Sequence, residues 1–266
     1  MIVPHANNRV TYTQALSRGG ALLDETRILL RAWQPDETFA AFTERVLRED
    51  LLGRATATRV SDIVRVFTMR FLIPSDSPVR HLRYLVMKDA PRQIFSDLVF
   101  YYTALQDDFL RDFTLLYYWP VVREGRITIT AQDARHLILE AEQDGRIRSP
   151  WSAEIKRDMA GRILNTLTDF GLLRPLKISR REVVPFRPAD GTVVYLAYLL
   201  HVNGITDSSL AEHSAWVLFG LQEEDVWNRL EILAGDGWFI IQRAGQVARI
   251  TWNYQSEEDV VHALAG

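Results

Sequence analysis

The chain has 266 residues, a formal net charge of −3, 47% hydrophobic and 24% charged side chains, enough for one large domain or two to three small ones and too apolar for a disordered chain. The absence of cysteine excludes a disulfide framework, a Cys-based zinc site and a thiol nucleophile, and fits a reducing compartment. The opening MIVPHANNRV lacks the pattern of a signal peptide, and the apolar run at 115–122 is too short to cross a bilayer, so the sequence reads as soluble and cytoplasmic, with no membrane partner.

Residues 1–10 read as a loose lead, and the following stretch to about residue 125 predicts helices only. Leu22, Leu23, Thr26, Leu29, Leu30 and Trp33 share one face, and Pro35 ends that helix. Asp36 is placed to cap the next, with Phe39, Phe42, Val46 and Leu47 inward and Gly53 at the stop. A third carries Val60, Ile63, Val64, Phe67 and Phe71 before Pro74. Ser77-Pro78 starts a fourth with Val79, Leu82, Leu85 and Val86, and Asp89-Ala90-Pro91 a fifth with Ile94, Phe95, Leu98, Val99 and Tyr102. Asp107 starts a sixth with Phe109, Phe113, Leu116 and Tyr117, and Pro120 follows. Gly19-Gly20 has no preceding strand and no phosphate-loop spacing, so it reads as a close helix start or helix–helix contact. Arg54, Arg59, Arg65, Arg70, Arg80, Arg83 and Arg92 read as solvated helix faces paired to nearby acids, rather than as a second nucleic-acid surface. The runs Phe100-Tyr101-Tyr102 and Tyr117-Tyr118-Trp119 could stack bases, but at helical spacing they read as core.

Positive charge is concentrated in residues 146–187. That stretch holds ten basic and four acidic side chains, a local +6, whereas residues 188–266 hold three and eleven, a local −8. Such a block raises the potential where a polyanion docks. Thr130 is placed to cap a helix, with Asp133 completing a capping box and Ala134, Leu137, Ile138 and Ala141 inward up to Gly145. Ser149-Pro150 opens a second helix with the stripe Ile155, Met159, Ile163, Leu167 and Phe170, stopped by Gly171. Residues 172–178 suit a strand, Arg180-Arg181 a turn and residues 183–186 a return strand. Helix, helix, basic hairpin is the order of a winged helix-turn-helix. Arg157 and Asn165 project opposite the apolar stripe, with Arg162 on its flank and Lys156 nearer the apolar side. In this reading Arg157, Arg162, Asn165 and Lys156 lie at the groove of duplex DNA, Arg180 and Arg181 on the wing, and Arg146, Arg148 and Lys177 neutralise phosphates.

The last third repeats the order with other chemistry. Residues 192–202 form an apolar helix closed by Asn203-Gly204, and Asp207 is placed to cap a short one. Residues 223–234 form a longer helix with Val226, Leu230 and Leu233 inward. Residues 238–242 and 247–252 flank Ala244-Gly245 as a hairpin, and 257–264 form a terminal helix. Glu223, Glu224, Asp225 and Glu231 would repel phosphate, so this module reads as a protein-contact or packing module. His5, His81, His136, His201, His213 and His262 have no metal-ligand spacing, no nucleophile elbow is present, and adjacent carboxylates such as Asp107-Asp108 make poor acid–base pairs. No enzyme, cofactor or metal site is expected.

Tyr12, Leu16, residues 19–27 (GGALLDETR) and Leu29-Leu30, together with Ser149-Pro150, Ala160, Leu164 and residues 167–173 (LTDFGLL), resemble the BrxA family of the BREX bacteriophage-exclusion systems. The resemblance implies an N-terminal helical domain like the antitermination factor NusB, then winged-helix material, and nucleic-acid binding in a defence complex. It carries no catalytic residues. The expected protein is therefore mainly α: a NusB-like helical domain at 1–125, a basic winged helix-turn-helix at 126–187, and an acidic winged-helix-like module with a C-terminal helix at 188–266, the last two with small β-hairpins. The expected partners are double-stranded DNA and other phage-defence proteins. The alternatives are a protein–protein adaptor and an RNA-binding NusB-like factor.

Overall fold

Two short helices open the chain, α1 (Ala15–Gly19) and α2 (Leu23–Ala32), in a computed structural model that describes residues 11–266 except Arg54 and Gln246. The expected lead at 1–10, with His5, and Arg54 among the arginines lie outside the described residues. The break between α1 and α2 is the work of Gly19-Gly20. Gly20 has φ 53° and ψ −141°, a conformation only glycine adopts without strain, and a Cβ on Gly19 would stand 3.0 Å from Val66 Cγ1. The expected close helix contact is thus present. Arg70 closes over this break, and it is not on a solvated face as expected. It is 6% exposed and donates to the carbonyl of Gly20 at 2.7 Å.

Helix α3 (Phe39–Arg48) is capped by Thr38, whose hydroxyl accepts from the Ala41 N–H, and not by Asp36. Phe42 and Val46 are buried, whereas Phe39 and Leu47 face outward. Helix α4 (Ala57–Phe71) buries the five apolar residues assigned to it, and α5 (Ser77–Met87) and α6 (Arg92–Gln106) bury theirs. Phe42, Phe67, Phe71 and Tyr102 form a continuous aromatic contact with centroid separations of 5.5–6.4 Å. Asp107 caps α7 (Asp108–Phe113) by accepting from the Leu110 N–H at 2.9 Å. The helical path continues past Phe113. A π-helical turn (Thr114–Tyr118) leads into α8 (Trp119–Arg123), where Pro120 sits in the first turn and needs no N–H donor.

A short strand absent from the sequence reading, β1 (Thr128–Thr130), precedes α9 (Ala131–Gln143). The expected capping box of Thr130 and Asp133 is formed. α10 (Ala153–Asp169) starts three residues after the expected Pro150, because Ser152 provides the cap. Strands β2 (Leu173–Lys177) and β3 (Arg180–Val183) form the hairpin, with its turn at Ile178-Ser179, so that Arg180 and Arg181 open β3 and do not form the turn. β3 pairs with both β1 and β2, all antiparallel, in the order β1-β3-β2.

The last third contains α11 (Asp190–Val202), two single 3₁₀ turns, α12 (Glu223–Gly235), the hairpin β4 (Phe239–Ala244) and β5 (Val247–Trp252), and α13 (Glu257–Leu264). α11 is buried on all sides from Thr192 to Leu200, so its periodicity carries no facing signal. Asp207 does not cap a helix of its own; its carboxylate accepts from the Ile250 N–H at 2.8 Å and from the Trp252 indole. The N-terminus of α11 is capped from α6: the Asp97 carboxylate accepts from the Ala189 N–H and the Thr192 hydroxyl, both at 2.8 Å.

The chain divides into two compact units. One holds residues 11–83 with Val99–Phe186, the other Tyr84–Leu98 with Arg187–Gly266. The break after Phe186 lies one residue before the expected 187/188, residues 84–98 join the last third, and residues 125 and 126 both lie inside the larger unit. There Phe100 of α6 meets Phe170, at the end of α10, with centroids 5.2 Å apart, and the Tyr118 hydroxyl donates to the Val184 carbonyl at 2.7 Å. Helices and hairpin therefore share one core.

Candidate nucleic-acid interface

The basic block is sorted by helix phase and by local pairing. Burial of Met159, Ala160, Ile163, Leu164 and Leu167 turns Arg157, Arg162 and Asn165 outward. Arg157 is exposed, as are Arg148 in the loop before α10 and Lys177 and Arg180 on the hairpin. Arg162 is half exposed and lies 3.4 Å from Asp158, one turn earlier. A surface pair of this kind holds its partner weakly. Arg180 donates to Thr128 Oγ1 at 3.2 Å, between β3 and β1.

The other four residues expected at the interface are engaged within the protein. Arg146 lies 2.7 Å from Asp144 and 3.4 Å from Asp112, and the Tyr12 hydroxyl donates to Asp112 at 2.7 Å. Hydrogen bonding to Asp144 holds Arg146 firmly protonated, and burial followed by the charge of Asp112 keeps the Tyr12 phenol neutral. Lys156 lies 2.6 Å from Glu142, which also accepts the Trp151 N–H, so this pair ties α10 to α9. The Lys156 hydrogen bond keeps the Glu142 carboxyl below its ordinary range.

Arg181 acts as a brace. Its guanidinium donates to the carbonyls of Lys177 at 2.7 Å, Ile178 at 3.1 Å and Arg180 at 3.3 Å, and to Asn165 Oδ1 at 2.8 Å. Asn165, expected to read a base edge, has its carbonyl oxygen committed to the hairpin. Arg174, exposed on β2, is paired to Glu182 across the strands at 2.8 Å.

An open cleft of about 610 Å³ lies beside the C-terminal half of α10, lined by Gly20, Asp24 and Glu25 as well as by Arg162, Asn165 and Asp169. Burial, then the charge of Glu25, raises the Asp169 carboxyl above its ordinary value. This acidic margin disfavours phosphate, which leaves the N-terminal half of α10 as its open part. Nothing in the sequence places Asp24 and Glu25 beside α10, because they stand far from it along the chain. Of the residues expected at the interface, Arg148, Arg157, Arg162, Lys177 and Arg180 are the cations presented to solvent.

A family model described as BrxA matches residues 10–198. The chain belongs to the BrxA family. Membership implies a component of a BREX bacteriophage-exclusion system, and the matched stretch takes in every element from α1 to β3. The motifs that carry the BrxA resemblance meet in space, since Gly19, Gly20, Asp24 and Glu25 line the same cleft as Thr168 and Asp169. A solved structure of an uncharacterized protein from Magnetospirillum magneticum is similar to this BrxA-family chain with a TM-score of 0.58 and 19% identity, over 72% of this chain and 93% of that one. At that identity the likeness is one of fold alone. No curated protein matches the chain. Among the described residues, no helix is long and apolar enough to cross a membrane.

Proposed function

We propose that this BrxA-family chain is a non-enzymatic DNA-binding component of its BREX system, with β1, α9, α10, β2 and β3 acting as a winged helix. The observation that carries this reading is topological. A strand before the first helix pairs with the last strand of the hairpin, giving the order β1-β3-β2, and the most basic stretch of the sequence lies on that assembly. In this reading the N-terminal half of α10 enters the major groove with Arg157, flanked by Arg148 and Arg162 at phosphates. The hairpin is the wing, with Lys177 and Arg180 at the backbone of the duplex. Arg146, Lys156, Arg181 and Asn165 position these groups and make no direct contact. The helices before β1 are compatible with the NusB-like reading that the family resemblance implies.

Fluorescence anisotropy of a labelled duplex, titrated at several salt concentrations, tests this. Five phosphate-contacting cations predict a slope of log K against log salt of about −4 to −5. Arg148→Ala/Arg157→Ala is expected to weaken binding about tenfold or more and to flatten the slope by about 2. Binding that ignores salt, or that both substitutions leave intact, sinks the reading. Single-stranded RNA competing better than duplex DNA would favour the RNA alternative. A protein adaptor is the second reading, supported by Ile232, Ile240 and Val247, which are exposed in the acidic last third. Copurification of other BREX proteins that Ile240→Asp abolishes would support it.

A further inference from the structure

The hairpin tip presents an apolar side chain for which the fold gives no reason. Ile178 is 99% exposed, the highest value of any large apolar residue among those described. It occupies one of two turn positions between Lys177 and Arg180, which pair across the strands beyond a register shift after Pro175. Neither Ile178 nor Ser179 has a positive φ, so the turn tolerates isoleucine without requiring it. Packing does not account for isoleucine here, since the side chain is fully in solvent.

The tip is also held in place. Arg181 bonds the carbonyls of Lys177, Ile178 and Arg180 around the turn and Asn165 on α10, so its guanidinium anchors the tip to the helix. An isoleucine on a braced turn is displayed, whereas one on a loose loop could fold back onto its own surface. Lys177 and Arg180, both exposed, stand on either side of it, and Leu176 before them is half exposed. An apolar point between two cations matches one kind of polyanion surface: two phosphate strands bordering a narrow groove floored by stacked bases. The B-DNA minor groove is about 6 Å wide and takes a single aliphatic side chain, and proteins that enter it commonly insert such a residue between base pairs.

We infer that Ile178 is a wedge that enters the minor groove beside the α10 contact and partly unstacks one base step, while Lys177 and Arg180 engage the phosphates on either side. This rests on the DNA-binding reading and adds to it a preference for flexible pyrimidine–purine steps, TA and CA, where unstacking costs least. It also gives Arg181 and Asn165 a purpose, since a wedge works only if its backbone does not yield.

The test uses the full chain and a duplex with 2-aminopurine at a central TA step, following 2-aminopurine fluorescence and anisotropy in one titration. Wild type is expected to raise the 2-aminopurine signal as it binds. Ile178→Ser is expected to abolish that rise and to weaken binding about fivefold, while Ile178→Leu keeps both. The side chain is solvent-exposed, so neither change threatens folding. If anisotropy reports binding while the 2-aminopurine signal stays flat, or if Ile178→Ser behaves as wild type in both channels, the wedge is overturned and DNA binding stands. If no duplex binding occurs at all, both readings fall together.

Discussion

Arg70 shows how much one side chain can organise. It sits on α4, yet its guanidinium bonds the Gly20 carbonyl, and its charge faces that of Asp107. Burial pulls its pKa down to about 10, so it remains charged at neutral pH. Removing it leaves the part-buried Gly20 carbonyl without this donor and takes from the buried Asp107 carboxyl the cation that faces it, although Asp107 keeps its bond from the Leu110 N–H. Arg70→Met is expected to cost about 3 kcal/mol by urea unfolding; a loss under about 1 kcal/mol would mean that water replaces the guanidinium. Asp97 makes the opposite case. Burial raises its carboxyl from 3.8 to about 6, although the Ala189 N–H and the Thr192 hydroxyl hold it down. The folded protein therefore binds this proton more tightly than the unfolded chain does. The stability that this proton adds is fully present below the unfolded value of 3.8 and is lost as pH rises through about 6. Asp97→Asn keeps an oxygen for both donors and has no proton to lose. Relative to wild type, the variant is expected to gain stability between pH 4 and pH 6, by up to about 3 kcal/mol. A constant difference across that range would return Asp97 to its ordinary pKa.

At the scale of elements, the hairpin depends on a contact that its own sequence does not contain. β2 and β3 are short, and a two-stranded hairpin is marginal in water without support. β1 supplies a third strand, and Arg181 ties the tip to α10 through Asn165. Arg181→Ala is expected to loosen the tip while the rest of the fold persists. Limited trypsin digestion should then cut after Lys177 and Arg180 at least about tenfold faster, with the far-ultraviolet circular dichroism unchanged. Equal cleavage rates would show that strand pairing alone holds the tip. α9 and α10 are tied in a similar way by the Lys156–Glu142 pair, which bridges two elements that share an apolar seam.

For the whole molecule, the order of the chain and the order of the units differ. The last third packs with residues 84–98, which lie within the sequence of the first helical stretch. Ile94, Phe95 and Leu98 are buried in that unit, and Asp97 caps α11 there. A chain ending at residue 187 would leave those side chains uncovered. It is expected to aggregate or to elute as high-mass species on size exclusion, despite retaining every element from α1 to β3. A monodisperse, cooperatively unfolding fragment would show that residues 84–98 need no partner. The charge division, +6 in residues 146–187 against −8 in 188–266, sets the two parts apart chemically in the same chain.

Periodicity and punctuation determined most elements on their own. Proline and glycine mark boundaries by removing a donor or allowing positive φ, and apolar spacing reports burial, so α4, α6, α9, α12 and the β4–β5 hairpin were legible, as was the Thr130–Asp133 capping box. The basic block was equally legible, because charge is additive along the chain. What the sequence could not settle was which charges are already taken. Arg146, Lys156 and Arg181 read as cations for a polyanion, and Arg70 as one on a solvated face, until folding brings Asp112, Glu142, Asn165 and Gly20 to them. β1 was invisible for the same reason: three residues have no periodicity, and a strand so short exists only because β3 returns to pair with it. Local order follows from neighbours along the chain, whereas pairing and cover depend on distances that only tertiary packing fixes.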